Sequence, residues 1–256
     1  MQITWYGTAT LQVAEGTSRL LLDPFIARNP ACRQVGLSEL AGFETIFLTH
    51  GHLDHAADIP NILSCGKSVV YCGPETANNL IREGAASDRF RIVRPGDRVR
   101  IGTLEVEVLR GRHVCTDLRR KLQMIAGLRT PGNMKEFARL IQFHRRYPAG
   151  DVLMYRIEGG GCSLLAFGSL NLDLTETYAP ADWAALPYQG RSDMTEYTLS
   201  LLNGIRPRGI FLHHFDDSFP PVTRQEETTA LIQAAASRFS EMKVIVPQHR
   251  KEYTLE

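Results

Sequence analysis

Apolar residues alternate with polar ones from the first positions of the chain. Ile3, Trp5, Leu11 and Val13 mark one buried face before the turn Glu15-Gly16-Thr17-Ser18 and the apolar run Leu20-Leu21-Leu22, which stops at Asp23-Pro24. A period of two bounded by turn residues predicts two antiparallel strands joined by a hairpin. Glu44 to Thr49 is β-branched and aromatic and reads as a buried strand. Helices are predicted over Asp58–Leu63 and Pro74–Glu83, the latter with Pro near its start and Gly84 just past its end, and a short strand over Ser68–Cys72. Strands at Arg91–Val93, Val99–Ile101 and Leu104–Val108 then deliver the chain to His113.

Beyond His113 the period changes to that of helices. Segments over 117–125 and 134–145 are separated by the breaker Thr130-Pro131-Gly132-Asn133; Leu118, Leu122 and Ile125 share one face, as do Met134, Phe137 and Ile141. Strands resume at Val152–Ile157, Ser163–Phe167, Trp183–Pro187 and Gly209–His214, with helices at Thr195–Asn203 and Thr223–Phe239 and a last strand at Lys243–Val246. No fixed-period repeat is visible in the sequence.

Composition changes this picture little. The 256 residues are 43% hydrophobic and 22% charged, which suits one domain over 1–256 carrying a basic helical insertion at about 116–147. No run approaches the ~18 apolar residues of a membrane span, and the strand-like start is unlike a cleavable signal, so a cytoplasmic protein is expected. Five scattered cysteines without a Cys-X-X-Cys pair exclude a disulfide framework and a cysteine zinc site. Charge is uneven. Net charge is +1, yet Arg110 to Arg146 holds ten Lys or Arg against Asp117 and Glu136.

The chemistry concentrates at Thr49-His50-Gly51-His52-Leu53-Asp54-His55, directly after the Glu44–Thr49 strand. Imidazole and carboxylate are the ligands a divalent transition metal prefers. Alternation along an extended segment turns His50 and His52 to the same side, toward one ion, while Asp54 and His55 lie past the turn for a second. A solvated histidine-rich loop is the competing reading, and it does not explain why the cluster ends a buried strand.

Thr-His-X-His-X-Asp-His after a strand resembles the signature of the metallo-β-lactamase superfamily, whose fold is an α+β four-layer αββα sandwich. Ile3–Gly7 with Leu22–Phe25, Pro95-Gly96-Asp97 to His113, and Ile210–Phe215 resemble further superfamily segments; Leu186-Pro187-Tyr188-Gln189-Gly190 with Met194-Thr195 is similar to the ascorbate-phosphate lactonase-like branch. The resemblance implies His50, His52 and His113 as ligands of one metal and Asp54, His55 and His214 as ligands of another. It implies Asp23 as a carboxylate behind a ligand imidazole, the alternative being a turn residue before Pro24. His213 is expected to pack behind the site, and His144 and His249 to be ordinary surface or helix residues.

One departure stands out. Where the superfamily carries a Gly-Asp step whose Asp bridges two metals, this chain has Gly168-Ser169, leaving Asn171 or Asp173 to compensate if the loop bends back. The ion expected is zinc, with manganese or iron(II) as alternatives. Metal-activated water would attack an ester, lactone or phosphodiester, with Asp54 orienting it or taking its proton. Tyr188, Gln189 and Arg191 are expected near the substrate by family position. Arg119, Arg120, Lys121, Arg145 and Arg146 suggest an anionic small molecule. A metal-dependent nuclease is the alternative, as is a weakly active or non-catalytic relative that binds a partner through the basic helices.

Overall fold

The computed structural model describes residues 1–32, 35–128, 130–173, 178–220 and 222–256. Its opening segment is a three-stranded antiparallel meander, β1 (Gln2–Gly7), β2 (Thr10–Glu15) and β3 (Ser18–Leu22), rather than a two-stranded hairpin. The extra turn is made by Gly7 and Thr8, both at positive φ, and hydrophobic alternation does not announce it. The chain continues through α1 (Leu37–Leu40), β4 (Thr45–Phe47), α2 (Leu53–Ala56), α3 (Ile59–Cys65), β5 (Val69–Cys72), α4 (Pro74–Arg82) and β6 (Phe90–Ile92), with β3 to β6 parallel.

The second half repeats the scheme. β7 (Arg98–Ile101) and β8 (Leu104–Arg110) lead into the helical pair α5 (Leu118–Ala126) and α6 (Pro131–Arg146), after which β9 (Leu153–Gly159) and β10 (Cys162–Phe167) complete an antiparallel meander. β11 (Trp183–Pro187), α7 (Met194–Ile205), β12 (Gly209–His213), α8 (Thr229–Arg238) and β13 (Lys243–Ile245) extend it in parallel, and β14 (Glu252–Thr254) returns to pair with β1. The sheets run β14-β1-β2-β3-β4-β5-β6 and β13-β12-β11-β10-β9-β8-β7. Helix α8 begins at Thr229, six residues later than the pattern predicts.

The sheets face each other across one apolar layer, where Trp5, Val13 and Phe47 of the first meet Val106, Tyr155 and Leu164 of the second, all at most 2% exposed. The outer face of the first sheet packs Leu21, Ile46 and Val70 on Leu40, Ile62 and Leu80 of α1, α3 and α4. Leu199 and Leu202 of α7 and Leu231 and Ala235 of α8 are buried with the second sheet, giving the expected α, β, β, α layers. Strands β10 to β12 are buried along their whole length, as parallel strands covered on both faces are.

Two hydrogen bonds tie the second sheet to the end of β4. The Tyr155 hydroxyl donates to Leu48 O at 2.6 Å, and Leu153 N donates to Thr49 O at 2.7 Å. Removing the Tyr155 hydroxyl would strand a buried carbonyl, at a cost of about 1–3 kcal/mol.

The helical pair is held at its ends. Asp117 caps α5 by accepting from Arg120 N and also accepts from Ser192 N at 2.7 Å; Asn79 Nδ2 donates to Arg146 O at 2.8 Å, and Arg146 pairs with Glu83. The face shared by Leu118, Leu122 and Ile125 points to solvent at 57–72% exposure. Among the described residues no helix is long and apolar enough to cross a membrane.

Candidate metal centre

The six expected ligands lie in the segments that follow strands of both sheets, with Asp54 and His55 on the short helix α2, where a rigid sandwich can fix them. Two glycines let the chain close around them. A Cβ on Gly51 would stand 2.4 Å from Pro148 O, and one on Gly168 would stand 1.8 Å from Thr49 Oγ1, so only glycine permits either approach. Asp23 and His214 both take the left-handed conformation, with φ of 45° and 56°, a strain typical of sites the surrounding fold over-determines.

Protons can be followed through the first cluster. Thr49 Oγ1 lies 2.6 Å from Asp23 Oδ2 and donates its one hydrogen there, so toward His50 Nδ1 at 3.0 Å it only accepts. His50 therefore carries its proton on Nδ1 and turns the Nε2 lone pair inward, 3.2 Å from His52 Nδ1. His113 Nδ1 donates to Val114 O at 2.9 Å, which leaves its Nε2 free as well. Ligand atoms of His50, His52 and His113 all lie within 4.8 Å of one another. Nitrogens held tetrahedrally 2.0–2.1 Å from zinc would sit ~3.3 Å apart. Burial holds His50 well below its usual range and pushes His52 down to about 3, with neighbouring imidazoles adding to the effect. Both are thus neutral, as ligands must be.

Asp54, His55 and His214 form the second cluster. His55 Nδ1 pairs with Asp23 Oδ2 at 2.9 Å, so its Nε2 faces inward, and His214 Nε2 lies 3.0 Å from Asp54 Oδ2. Burial disfavours charge on both Asp54 and His55, but each is overruled: His55 and His214 hold the Asp54 carboxyl well below its usual range, while Asp23 and Asp54 raise His55. The His50 and His55 rings lie 4.0 Å apart, so the clusters share a wall. His214 Nδ1 is buried without a hydrogen-bond partner. Imidazole nitrogens converging beside a carboxylate match the donor set of a divalent transition ion.

The other expected residues divide. Asp23 stands behind both clusters, accepting from Thr49 N and Oγ1 and pairing with His55. His213 packs behind the site with Nε2 3.1 Å from Phe167 O. Ser169 lines the cavity, its Oγ accepting from Val114 N at 2.9 Å, while Asn171 braces the His113 carbonyl and Asp173 pairs with Arg112. Asp173 belongs to neither of the two metal-sized clusters of His, Cys, Asp and Glu among the described residues. Gln189 lines the cavity, but Tyr188 is buried against Thr195 and Arg191 lies on Tyr197, paired with Asp193. His249 is no loose surface residue: it stacks on Trp5 at 4.2 Å.

His144 is not legible as a site residue, yet α6 brings its ring to 4.7 Å from that of His52, and it lines the same cavity. No local motif announces it, because its position depends on how the helical pair docks. Thr49 and Gly168 escape a reading by ligand type as well; Thr49 at least precedes the first histidine directly.

The profile of the beta-lactamase superfamily domain matches residues 18–215, a span that includes every candidate ligand. The chain belongs to that superfamily. Among superfamily relatives, a UPF0173 metal-dependent hydrolase of Azorhizobium caulinodans is 30% identical over 118 residues, 44% of this chain and 49% of that protein. Another, of Chelativorans sp., is 30% identical over 97 residues, 38% and 40% of the two chains. The match therefore spans less than half the length of each relative. In fold, a metallo hydrolase of the archaeon Ignicoccus hospitalis superposes over all of this chain and 98% of its own with a TM-score of 0.70 at 18% identity. An isothiocyanate hydrolase from Delia radicum gut bacteria does so over 99% and 98%, with a TM-score of 0.64 at 16% identity. At such identities the likeness concerns the superfamily fold.

Proposed function

We propose that this chain is a metal-dependent hydrolase acting on an ester, lactone or phosphodiester bond of a small molecule. The observation that carries the reading is the commitment of protons on His50 and His113 to acceptors outside the first cluster, which leaves their inner nitrogens as lone pairs. His50, His52 and His113 would hold one divalent ion, and Asp54, His55 and His214 a second; zinc suits the donors best, with manganese or iron(II) as alternatives. Such an ion lowers the pKa of water enough to supply hydroxide near neutrality and polarises the bond under attack.

The chain's own groups do the rest. Asp54, kept ionised by His55 and His214, accepts a proton or orients the attacking water. Asp23 holds Thr49 and His55 in register, and Thr49 in turn holds His50. A cavity of about 540 Å³ roofed by the helical pair suits a small molecule better than a polynucleotide, which weighs against the nuclease alternative.

Metal content of the purified protein, with turnover of a simple lactone and a bis-aryl phosphodiester before and after chelation, tests this directly. Bound metal and chelator-sensitive turnover that His52→Ala abolishes are expected. Metal-free protein that stays inactive after zinc or manganese is restored would defeat the reading. Ser169 leaves the second cluster without a bridging carboxylate, so Ser169→Asp should tighten a second ion by about tenfold, read by competition with a chromophoric chelator; one oxygen of the new carboxylate can still accept from Val114 N.

A further inference from the structure

The cavity above the clusters has a polar floor and an apolar roof. Met124 of α5 and Phe137, Leu140 and Ile141 of α6 cover it, and Phe219 and Val222 close one side. Of the basic residues that suggest an anionic substrate, only Arg120 reaches this space; Arg119, Lys121 and Arg145 are exposed on the outside of the pair and Arg146 is paired with Glu83. Arg120 is itself 4% exposed and ion-paired with Glu226 at 2.7 Å. Among the described residues that line it, Arg120 and His144 are the only ones apart from the six candidate ligands that can carry charge.

We infer that the substrate's non-reacting part is uncharged and apolar, an acyl or aryl group of a neutral carboxylic ester or lactone packed under Met124, Phe137, Leu140 and Ile141. An anionic tail would lose its hydration there and find the Arg120 guanidinium already paired with Glu226, whereas an alkyl chain gains from every methylene removed from water. The scissile bond then faces the clusters, which deepens the hydrolase reading and rests on it. Cleavage breaks the acyl C–O bond, adds the hydroxyl of water to the acyl carbon and returns a proton to the departing alcohol oxygen.

Two homologous series test this with zinc-loaded protein: p-nitrophenyl esters from acetate to octanoate for turnover, and alkyl methyl ketones of similar lengths for calorimetric binding, which needs no catalysis. Both kcat/KM and ketone affinity should rise roughly fourfold per methylene until the cavity is full. Phe137→Ala and, as a milder change, Ile141→Thr should each flatten the slope. Series that are flat or falling in both measurements would overturn the inference. So would faster turnover of bis-p-nitrophenyl phosphate than of any ester, although the hydrolase reading would then survive. Absence of chelator-sensitive turnover on every substrate defeats the hydrolase reading instead, and ketone binding still decides the nature of the cavity.

Discussion

The floor and the roof of the cavity are built on opposite principles. On the floor, polar side chains sit in the segments that follow strands of the two packed sheets, and hydrogen bonds to Asp23, Thr49 and Val114 fix their protons. In the roof, apolar side chains sit on two helices whose outer faces, at Leu118, Leu122 and Ile125 of α5 and Met134 and Phe143 of α6, meet solvent, and which are held by polar contacts at their ends and by Leu140 packed on the core. On the proposed reading the floor supplies the chemistry and the roof selects what enters. Substitutions on the two sides should therefore fail differently. His50→Ala should cost bound metal and lower turnover beyond the roughly 10–100-fold typical of losing a group behind a ligand. Phe137→Ala should keep its metal. Metal content per chain by plasma mass spectrometry checks both, and metal loss from Phe137→Ala would erase the distinction.

Within the floor, Asp23 is the shared support. One carboxylate oxygen accepts from Thr49 N and the other takes Thr49 Oγ1 and His55 Nδ1, with 1% of the residue exposed. Asp23→Asn keeps the shape but replaces one acceptor with a donor, so both clusters lose an anchor at once. Metal affinity should fall by roughly 10–100-fold, and the metal-free fold should lose about 1–3 kcal/mol from the unsatisfied buried groups. Chelator competition and denaturant unfolding measure the two effects separately. An affinity equal to wild type would make Asp23 a turn residue before Pro24 and no more.

Acid should act on the floor too. Burial depresses His50, His52 and His113 in the fold, so between their folded values and the ordinary value near 6.5 the unfolded chain binds more protons and stability falls as pH falls. His55 is raised and works the other way, its contribution being complete below its unfolded value and lost as pH climbs through its folded one. His213, buried behind the site, is depressed by burial as well, so four depressed imidazoles outweigh one raised. Chelator-treated protein should melt at progressively lower temperature from about pH 6.5 downward, and His52→Asn should shallow that slope. A melting temperature constant from about pH 7 to about pH 5 would show that these imidazoles are hydrated rather than buried in the metal-free state.

Legibility in the sequence follows the same division. The floor can be read because strand alternation and the spacing His50-X-His52-X-Asp54-His55 are local, and the layers can be read because buried strands such as Ile46–Leu48 and Ile210–Leu212 are continuous apolar runs. The helices of the roof are legible as helices from their period, although Thr130-Pro131, which reads as part of a breaker, instead caps and opens α6 three residues before the predicted start. Their orientation is not, because both faces carry apolar residues and docking decides which is inside. The cations of 110–146 thus suggest a charged substrate, although most of them turn outward. His144 and the Arg120–Glu226 pair are illegible for the same reason: the partners are 92 and 106 residues away in sequence.

Glu226 offers the smallest change that tests what the roof contributes. Its carboxylate cancels Arg120 inside the cavity, with Arg224 nearby at 3.7 Å. Glu226→Gln retains a hydrogen-bond acceptor for Arg120 while leaving the guanidinium charge unmatched, so the roof acquires one net positive charge without losing its shape. Calorimetry should then show n-alkanoates binding about tenfold tighter than to wild type, a gain of ~1.4 kcal/mol, close to the lower end of the range for a hydrogen bond to a charged group. Alkyl methyl ketones of equal length should be unaffected. A parallel gain for ketones would mean that the substitution had loosened the helices, and no gain for alkanoates would mean that Arg120 does not face the ligand. Only a selective gain for the anions would show that the pairing with Glu226 is what keeps the wild-type cavity neutral.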